Sequence, residues 1–141
     1  MKKFRPVVLA VIIGCTCAFI LFKQVEEKTL VKVEGNAVAI QIGVFTKEEN
    51  ARNMSKTYGG IVTNDGEVYR VYYSVLSNDD NIEFMTNHLK SNGINYYLKK
   101  ITLDEEILDK SAEYETLMKS TNAESKMTIN KELLEMYEEV I

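Results

Sequence analysis

The sequence predicts a small α+β module of the order β-α-β-β-α-β, with a four-stranded antiparallel sheet and two helices on one face. Three observations predict it. Apolar residues alternate at Val38, Ile40 and Ile42, at Tyr69, Val71, Tyr73 and Val75, and at Ile94, Tyr96 and Leu98, the period of a half-buried strand. Two stretches of helical spacing, around Ala51 and Met54 and at Ile82, Met85 and Leu89, lie between the strands. Gly59-Gly60, Asn64-Asp65-Gly66 and Gly93 stand where the chain must stop or turn. The module takes residues 35–102, between a membrane segment with its linker and an acidic helical tail at 103–141.

The chain in order begins with a basic N-terminus at 1–6, expected in the cytoplasm. Residues 7–22 (VVLAVIIGCTCAFILF) carry no charge. With Phe4 to Pro6 they approach the ~20 residues of a spanning helix. Lys2, Lys3 and Arg5 precede the segment, which predicts the N-terminus inside and the C-terminal domain outside the cytoplasmic membrane. The leading reading is an uncleaved single-pass anchor. A lipoprotein processing box at Ile12-Ile13-Gly14-Cys15, or a cleaved signal, are the alternatives. The linker at 23–34 reaches at most about 40 Å, so the module is held close to the bilayer.

Charge is unevenly placed. Residues 1–34 hold six Lys/Arg against three Glu, 35–103 hold seven of each sign, and 104–141 hold four Lys against eleven Asp/Glu. Outside the membrane segment there is no basic excess for nucleic acid. Both cysteines, Cys15 and Cys17, lie in the apolar segment, so the module has no disulfide or thiol chemistry. His88 is the sole histidine, which argues against a zinc site, and no cofactor is implied.

Within the module, the first strand opens at Val38. Simple alternation would put Phe45 on the Gln41 face; a bulge at Gly43 returns Phe45 to the core and turns Val44 outward. Thr46 and Glu49 read as a capping box, and the helix runs to about Thr57. Ile61 to Asn64 is a short strand, and Asn64-Asp65-Gly66 turns it into a return strand from Glu67 to Leu76. Ser77 to Asp80 resembles the first cap. The second helix follows, with His88 on its exposed side, and ends at Gly93. Ile94 to Ile101 is the closing strand. The face without helices should be open, and strand parity places Gln41, Val44, Arg70, Tyr72, Tyr97 and Lys99 on it. Aromatic rings, amides and a guanidinium suit a sugar polymer.

These residues resemble the sporulation-related repeat (SPOR) domain. The family's Gln-x-Gly-x-Phe pattern appears as Gln41-Ile-Gly43-Val-Phe45, its "ENA" run as Glu49-Asn50-Ala51, and its Tyr-Arg-Val strand as Tyr69-Arg70-Val71. A second helix ends at a glycine before the closing strand, here Gly93. The likeness covers about residues 37–102. It implies an RNA-recognition-motif-like fold and binding to peptidoglycan glycan strands that lack stem peptides. It also implies Gln41 and Arg70 as glycan contacts; Tyr72 and Tyr97 come from strand parity alone. The chain departs from the family at Val44, often Ser there, and at Ser74-Val75-Leu76, often Gly-Pro-Phe, and it has no Trp.

In the tail, Thr102 to Glu105 looks like another capping box, opening a helix to about Lys119 with Ile107, Tyr114, Leu117 and Met118 on a stripe. Thr121 to Glu124 reads as a further cap, before a helix that groups Ile129, Leu133, Met136, Tyr137 and Val140. The leading reading is a helical hairpin packed on the module or on itself. A docking surface for an envelope protein partner, or a tail lying over the open sheet face, are alternatives. The pairs Glu48-Glu49, Asp79-Asp80 and Glu105-Glu106 sit in first helical turns, where they complement the helix dipole, so no hydrolase is predicted. The leading expectation is a membrane-anchored glycan-binding module at division or sporulation sites. A protein-interaction adaptor using the tail is the alternative.

Overall fold

The computed structural model describes residues 35–138. The predicted membrane segment, Cys15, the linker and Val140 lie outside them. The elements in order are β1 (Ala37–Phe45), α1 (Glu48–Tyr58), β2 (Ile61–Asn64), β3 (Tyr69–Leu76), α2 (Asp79–Ser91), β4 (Tyr97–Ile101), α3 (Glu105–Lys119) and α4 (Ala123–Glu138). The four strands form one antiparallel sheet in the order β2-β3-β1-β4. β1 and β2 both run antiparallel to β3, so α1 is a crossover between parallel strands; α2 does the same between β3 and β4. Right-handed crossovers put both helices on one sheet face. This is the predicted α+β class, extended by α3 and α4.

The central pair carries two irregularities rather than one. Ile40 pairs with Ser74, Gln41 with Tyr72 and Gly43 with Val71, so Tyr73 and then Ile42 are left between successive pairs. The predicted bulge is therefore centred on Ile42, one residue early, with a second on the partner strand. Its predicted effect holds. A Cβ on Gly43 would fall 2.5 Å from the Phe45 ring, so the absence of a side chain there lets Phe45 fold back onto the core. Val44 is turned out, 45% exposed.

Helix starts differ from the expected caps by one residue, or by two at α3, where Thr102 was expected. α1 begins after Lys47, with no side-chain cap; Thr46 lies outside it. Glu48 and Glu49 still occupy the first turn, and Glu48 pairs with Arg52. α2 is capped by Asn78, whose Oδ1 accepts from the N–H groups of Asp80 and Asn81. α3 begins after Asp104 without a side-chain cap. At the start of α4 it is Asn122, not Thr121, whose Oδ1 accepts from the Ser125 N–H at 2.9 Å. Asn is a better N-cap than Thr, which explains the shift to Asn122; at α2 the Ser77 hydroxyl and N–H are instead engaged by Glu115, leaving Asn78 as the cap.

β3 begins at Tyr69, two residues later than expected. Asp65 holds residues 65–68 as a loop: its N–H donates to the Val68 carbonyl, and its Oδ1 accepts from the N–H groups of Glu67 and Val68. β4 is also shorter than expected. Ile94 and Tyr96 precede it as half-buried residues packed on the core, and the Ile94 N–H closes onto the Leu89 carbonyl at the end of α2.

The tail folds onto the module. α3 and α4 pack on each other, α3 meets α2, and α4 meets β2 and β3. Met118, Leu133 and Tyr137 are fully buried in the same core as Ile40, Val71 and Leu89. From Val71 to Leu76 every residue of β3 is buried, so this strand is covered on both faces. Beyond Tyr72, where pairing with β2 stops, α4 flanks the strand: the Asn130 NH2 donates to the Tyr73 carbonyl and its Oδ1 accepts from the Ser74 hydroxyl. The inward stripe of α3 is Ser111, Glu115 and Met118; Leu117, expected inward, is 57% exposed. His88 is not on a solvated face. It is half-buried, its ring stacked on Tyr73 at 6.5 Å between centroids and 10° between planes.

Candidate functional site

Directly opposed residues on neighbouring strands share a sheet face. Gln41 opposes Tyr72 on β3 and Tyr97 on β4; Val44 opposes Arg70, and Arg70 opposes Thr63 on β2. The bulge at Ile42 is what keeps Val44 on the Gln41 side. Lys99 opposes Ala39, two residues before Gln41 on β1. The structure thus gathers all six predicted residues on one face, away from Phe45 and Val71.

That face is less open than expected. Tyr97 is 64% exposed and Lys99 is exposed, but Gln41 is only 9% exposed and Tyr72 6%. Gln41 sits between two tyrosines and beneath the Arg70 guanidinium, whose Nη1 donates to its Oε1 at 3.3 Å. Tyr72 opposes Ile61, itself buried in a groove of about 230 Å³ against Leu134 of α4. Tyr72 is therefore a wall of the site, not a platform. The accessible groups are Tyr97, Lys99 and Val44, with half-buried Arg70 at the centre and the Gln41 amide behind it.

Arg70 is fixed at both ends. Its Nε and Nη2 each reach Asp65 Oδ2 at 2.8 Å, while Nη1 holds Gln41. The Asp65 carboxyl is pulled down to about 2, first by the Val68 N–H, then by Arg70 and the Glu67 N–H. Asp65 and Thr63 were not among the expected site residues. The sequence assigns Asp65 to turn chemistry alone; an acid five residues before an arginine, across a hairpin, is the signal that points to the pair. Thr63 needed only the hairpin register.

The face is rich in hydrogen-bond donors and carries an exposed aromatic ring at Tyr97. The acidic pairs lie in the first turns of α1, α2 and α3. The buried carboxylate of Glu115 is occupied by Ser77, Asn78 and Asn81. Among the described residues no group of three His, Cys, Asp or Glu is placed to hold a metal ion.

No protein family and no curated protein matches the chain. Among solved structures it is similar to the solution structure of the peptidoglycan binding domain of the B. subtilis cell wall lytic enzyme CwlC. The identity is 22% and the TM-score 0.40, over 47% of this chain and 90% of that one. A likeness at that level carries no functional argument.

Proposed function

We propose that residues 35–138 form a cell-wall module that binds peptidoglycan glycan strands lacking stem peptides, in the manner of the SPOR family it resembles. The observation that carries the reading is the Tyr72-Gln41-Tyr97 row across three strands, with Arg70 bonded to Gln41. Tyr97 offers a ring to the C–H face of a sugar; Arg70 and the Gln41 amide offer donors to its hydroxyl and acetamido oxygens. Glycan without stem peptides suits a shallow face, because peptides projecting from every other sugar would lift the strand off it.

The N-terminal apolar segment would hold the module outside the cytoplasmic membrane, within about 40 Å of the bilayer. Its strands would then be those exposed near the membrane during division or sporulation. The adaptor alternative, with an envelope protein bound through residues 103–141, has less to work with: the apolar residues of α3 and α4 are largely spent on the core, leaving mainly acidic outer faces.

The test is co-sedimentation of the chain with intact sacculi and with sacculi stripped of stem peptides by an amidase. Selective binding to the stripped material, lost in Arg70→Ala, is expected. Equal or absent binding to both would overturn the reading.

A further inference from the structure

We infer that the outer edge of β4 takes an added β-strand from an acidic partner protein, an extended segment with two adjacent Asp or Glu residues bracketed by apolar ones. The inference does not depend on the glycan reading and concerns the edge of the sheet rather than its face.

β4 is the last strand of the sheet order β2-β3-β1-β4. Its inner edge pairs with β1 from Ala37 opposite Ile101 to Gln41 opposite Tyr97, and among the described residues no strand pairs with its outer edge. Alternate residues of a strand turn their N–H and C=O groups to opposite edges, so β4 offers a row of main-chain donors and acceptors on that side. Both faces of the strand are uncovered as well. Residues 97–100 are all exposed, and Leu98 is 44% exposed although Ile40, which it opposes, is fully buried. The other end of the sheet is treated differently: α4 meets β2 and β3, and the Asn130 NH2 donates to the Tyr73 carbonyl where β2 stops. The tail thus covers one end of the sheet and leaves the β4 end open.

The side chains select the partner. β4 reads Tyr97-Leu98-Lys99-Lys100-Ile101. Its pairing puts Tyr97, Lys99 and Ile101 on the Gln41 side and Leu98 and Lys100 on the Ile40 side, so each face carries one lysine. Lys99-Lys100 is the sole pair of adjacent basic residues in 35–138. Neither has an ion-pair partner among the described residues, whereas Arg52, Arg70, Lys110, Lys119 and Lys131 each have one. Edge lysines keep identical edges apart. A second copy of β4, paired antiparallel about Lys99 or between Lys99 and Lys100, would set lysine against lysine, which is destabilising. The same charges attract a strand whose opposed residues are acidic, one on each face. In either direction that strand carries two adjacent acids, with apolar residues opposite Tyr97, Leu98 and Ile101 to cover their exposed surface. This is recognition by strand addition, with the main chain supplying affinity and the side chains specificity. An anionic bilayer fits less well, because Asp104, Glu105 and Glu106 follow β4 closely and a broad negative surface would meet them too. A strand is narrow enough to meet the lysines alone. Pairing runs along the edge and leaves the Gln41 face uncovered.

The test uses the full chain in mild detergent and a capped synthetic peptide of about seven residues, an ordinary strand length, with two central glutamates flanked by valine and threonine. Amide exchange followed residue by residue by NMR should slow at the outward N–H groups of 97–101 when the peptide is added. Two control peptides should bind at least about tenfold more weakly: one with lysines in place of the glutamates, and one N-methylated at alternate residues, which keeps the charge and removes the donors of one edge. Lys100→Glu should weaken the acidic peptide by a similar factor. Lys100 lies on the Ile40 side, so this variant should still co-sediment with peptide-free glycan as the unmodified chain does. Undiminished binding of the N-methylated peptide would overturn the inference, because charge alone would then suffice. So would equal binding of the lysine peptide, or no protection of 97–101 at about 1 mM acidic peptide. Protection of the same amides by phosphatidylglycerol added to the micelles, as strong as that by the peptide, would overturn it in favour of a lipid surface. Outward amides already protected in the free chain would overturn it too, and sedimentation would then tell a second copy from another segment of the same chain. The peptide series needs no variant, so it stands even where Lys100→Glu disturbs the sheet.

Discussion

The carboxylate of Glu115, in the middle of α3, closes on Ser77 at the start of α2. Oε1 accepts from both the Ser77 N–H and its hydroxyl at 2.7 Å, and Oε2 accepts from the Asn78 N–H at 2.8 Å and from Asn81 Nδ2 at 3.3 Å. A negative charge at a helix N-terminus with its donors satisfied is favourable even when buried, and Glu115 is only 3% exposed. It ties the tail to the module by polar contacts, beside the apolar contacts of Met118.

Glu115→Ala should destabilise the chain by about 3 kcal/mol, since it strands several buried donors at once. Glu115→Gln keeps one acceptor but sets an NH2 against donors, and should cost about half as much. Urea denaturation of the two variants gives the comparison. A glutamine variant as damaging as the alanine variant would mean that the charge, not the acceptor set, is what matters.

Asn130 makes a second tie. Asn130→Ala should cost about 1–3 kcal/mol, because it leaves the Ser74 hydroxyl and the Tyr73 carbonyl unpaired in a buried place. Combining it with Ser74→Ala should recover part of that loss, since one orphaned group is removed. Thermal melts of the two single variants and the double variant test the coupling.

Asp65 gives a pH dependence whose sign is fixed. Its folded value, about 2, lies below the ordinary 3.8, so the stabilisation is present above about pH 4 and is lost as pH falls toward 2. Carboxyl chemical shifts should show Asp65 titrating near 2 in the unmodified chain. Its midpoint should move up in Arg70→Ala, yet stop short of 3.8, because the Val68 and Glu67 N–H groups remain.

The two glycines after α1 should differ. Gly59 has φ +88° with open space around its Cα, so Gly59→Ala should cost about 1 kcal/mol from backbone strain alone. Gly60 has φ +110°, and a Cβ there would fall 2.5 Å from the Tyr72 carbonyl oxygen. Gly60→Ala should therefore cost about 2–3 kcal/mol or more, and it should shift β2 against β3. Equal melting temperatures for the two variants would contradict the packing described.

Arg70→Ala and Gln41→Ala should both abolish binding to peptide-free glycan, whereas Tyr72→Phe should leave it unchanged, because Tyr72 is 6% exposed. Tyr97→Ala should weaken binding by about 1–2 kcal/mol if its ring is the sugar platform. A Tyr72 variant with the larger defect would reverse the assignment of wall and platform.

Period and turn chemistry made most of this legible before any coordinates. The strand at β2, the glycine stops at Gly59-Gly60 and Gly93, the outward turn of Val44 and the common face of Gln41, Arg70 and Tyr97 all follow from alternation plus local backbone rules. Those rules act over a few residues, and a single sequence contains them in full. The shifted caps at Lys47 and Asn78 show their resolution, about one residue at an element end.

What only the tertiary structure decided is where long-range partners meet. Strand parity assigns Gln41 and Tyr72 to a face but says nothing of what covers that face, and so both were expected open. Pairing of Tyr73 with His88, Asn130 with Ser74 and Glu115 with Ser77 depends on loop lengths and helix docking, which no local pattern encodes. The chain by itself determined its elements, their order and the face of most strand residues, because these depend on neighbours in sequence; the bulge at Tyr73 puts Val75 on the Gln41 side and Ser74 on the Ile40 side, the reverse of simple alternation. The depth of the site and the burial of the acidic tail's apolar stripe were set by neighbours in space.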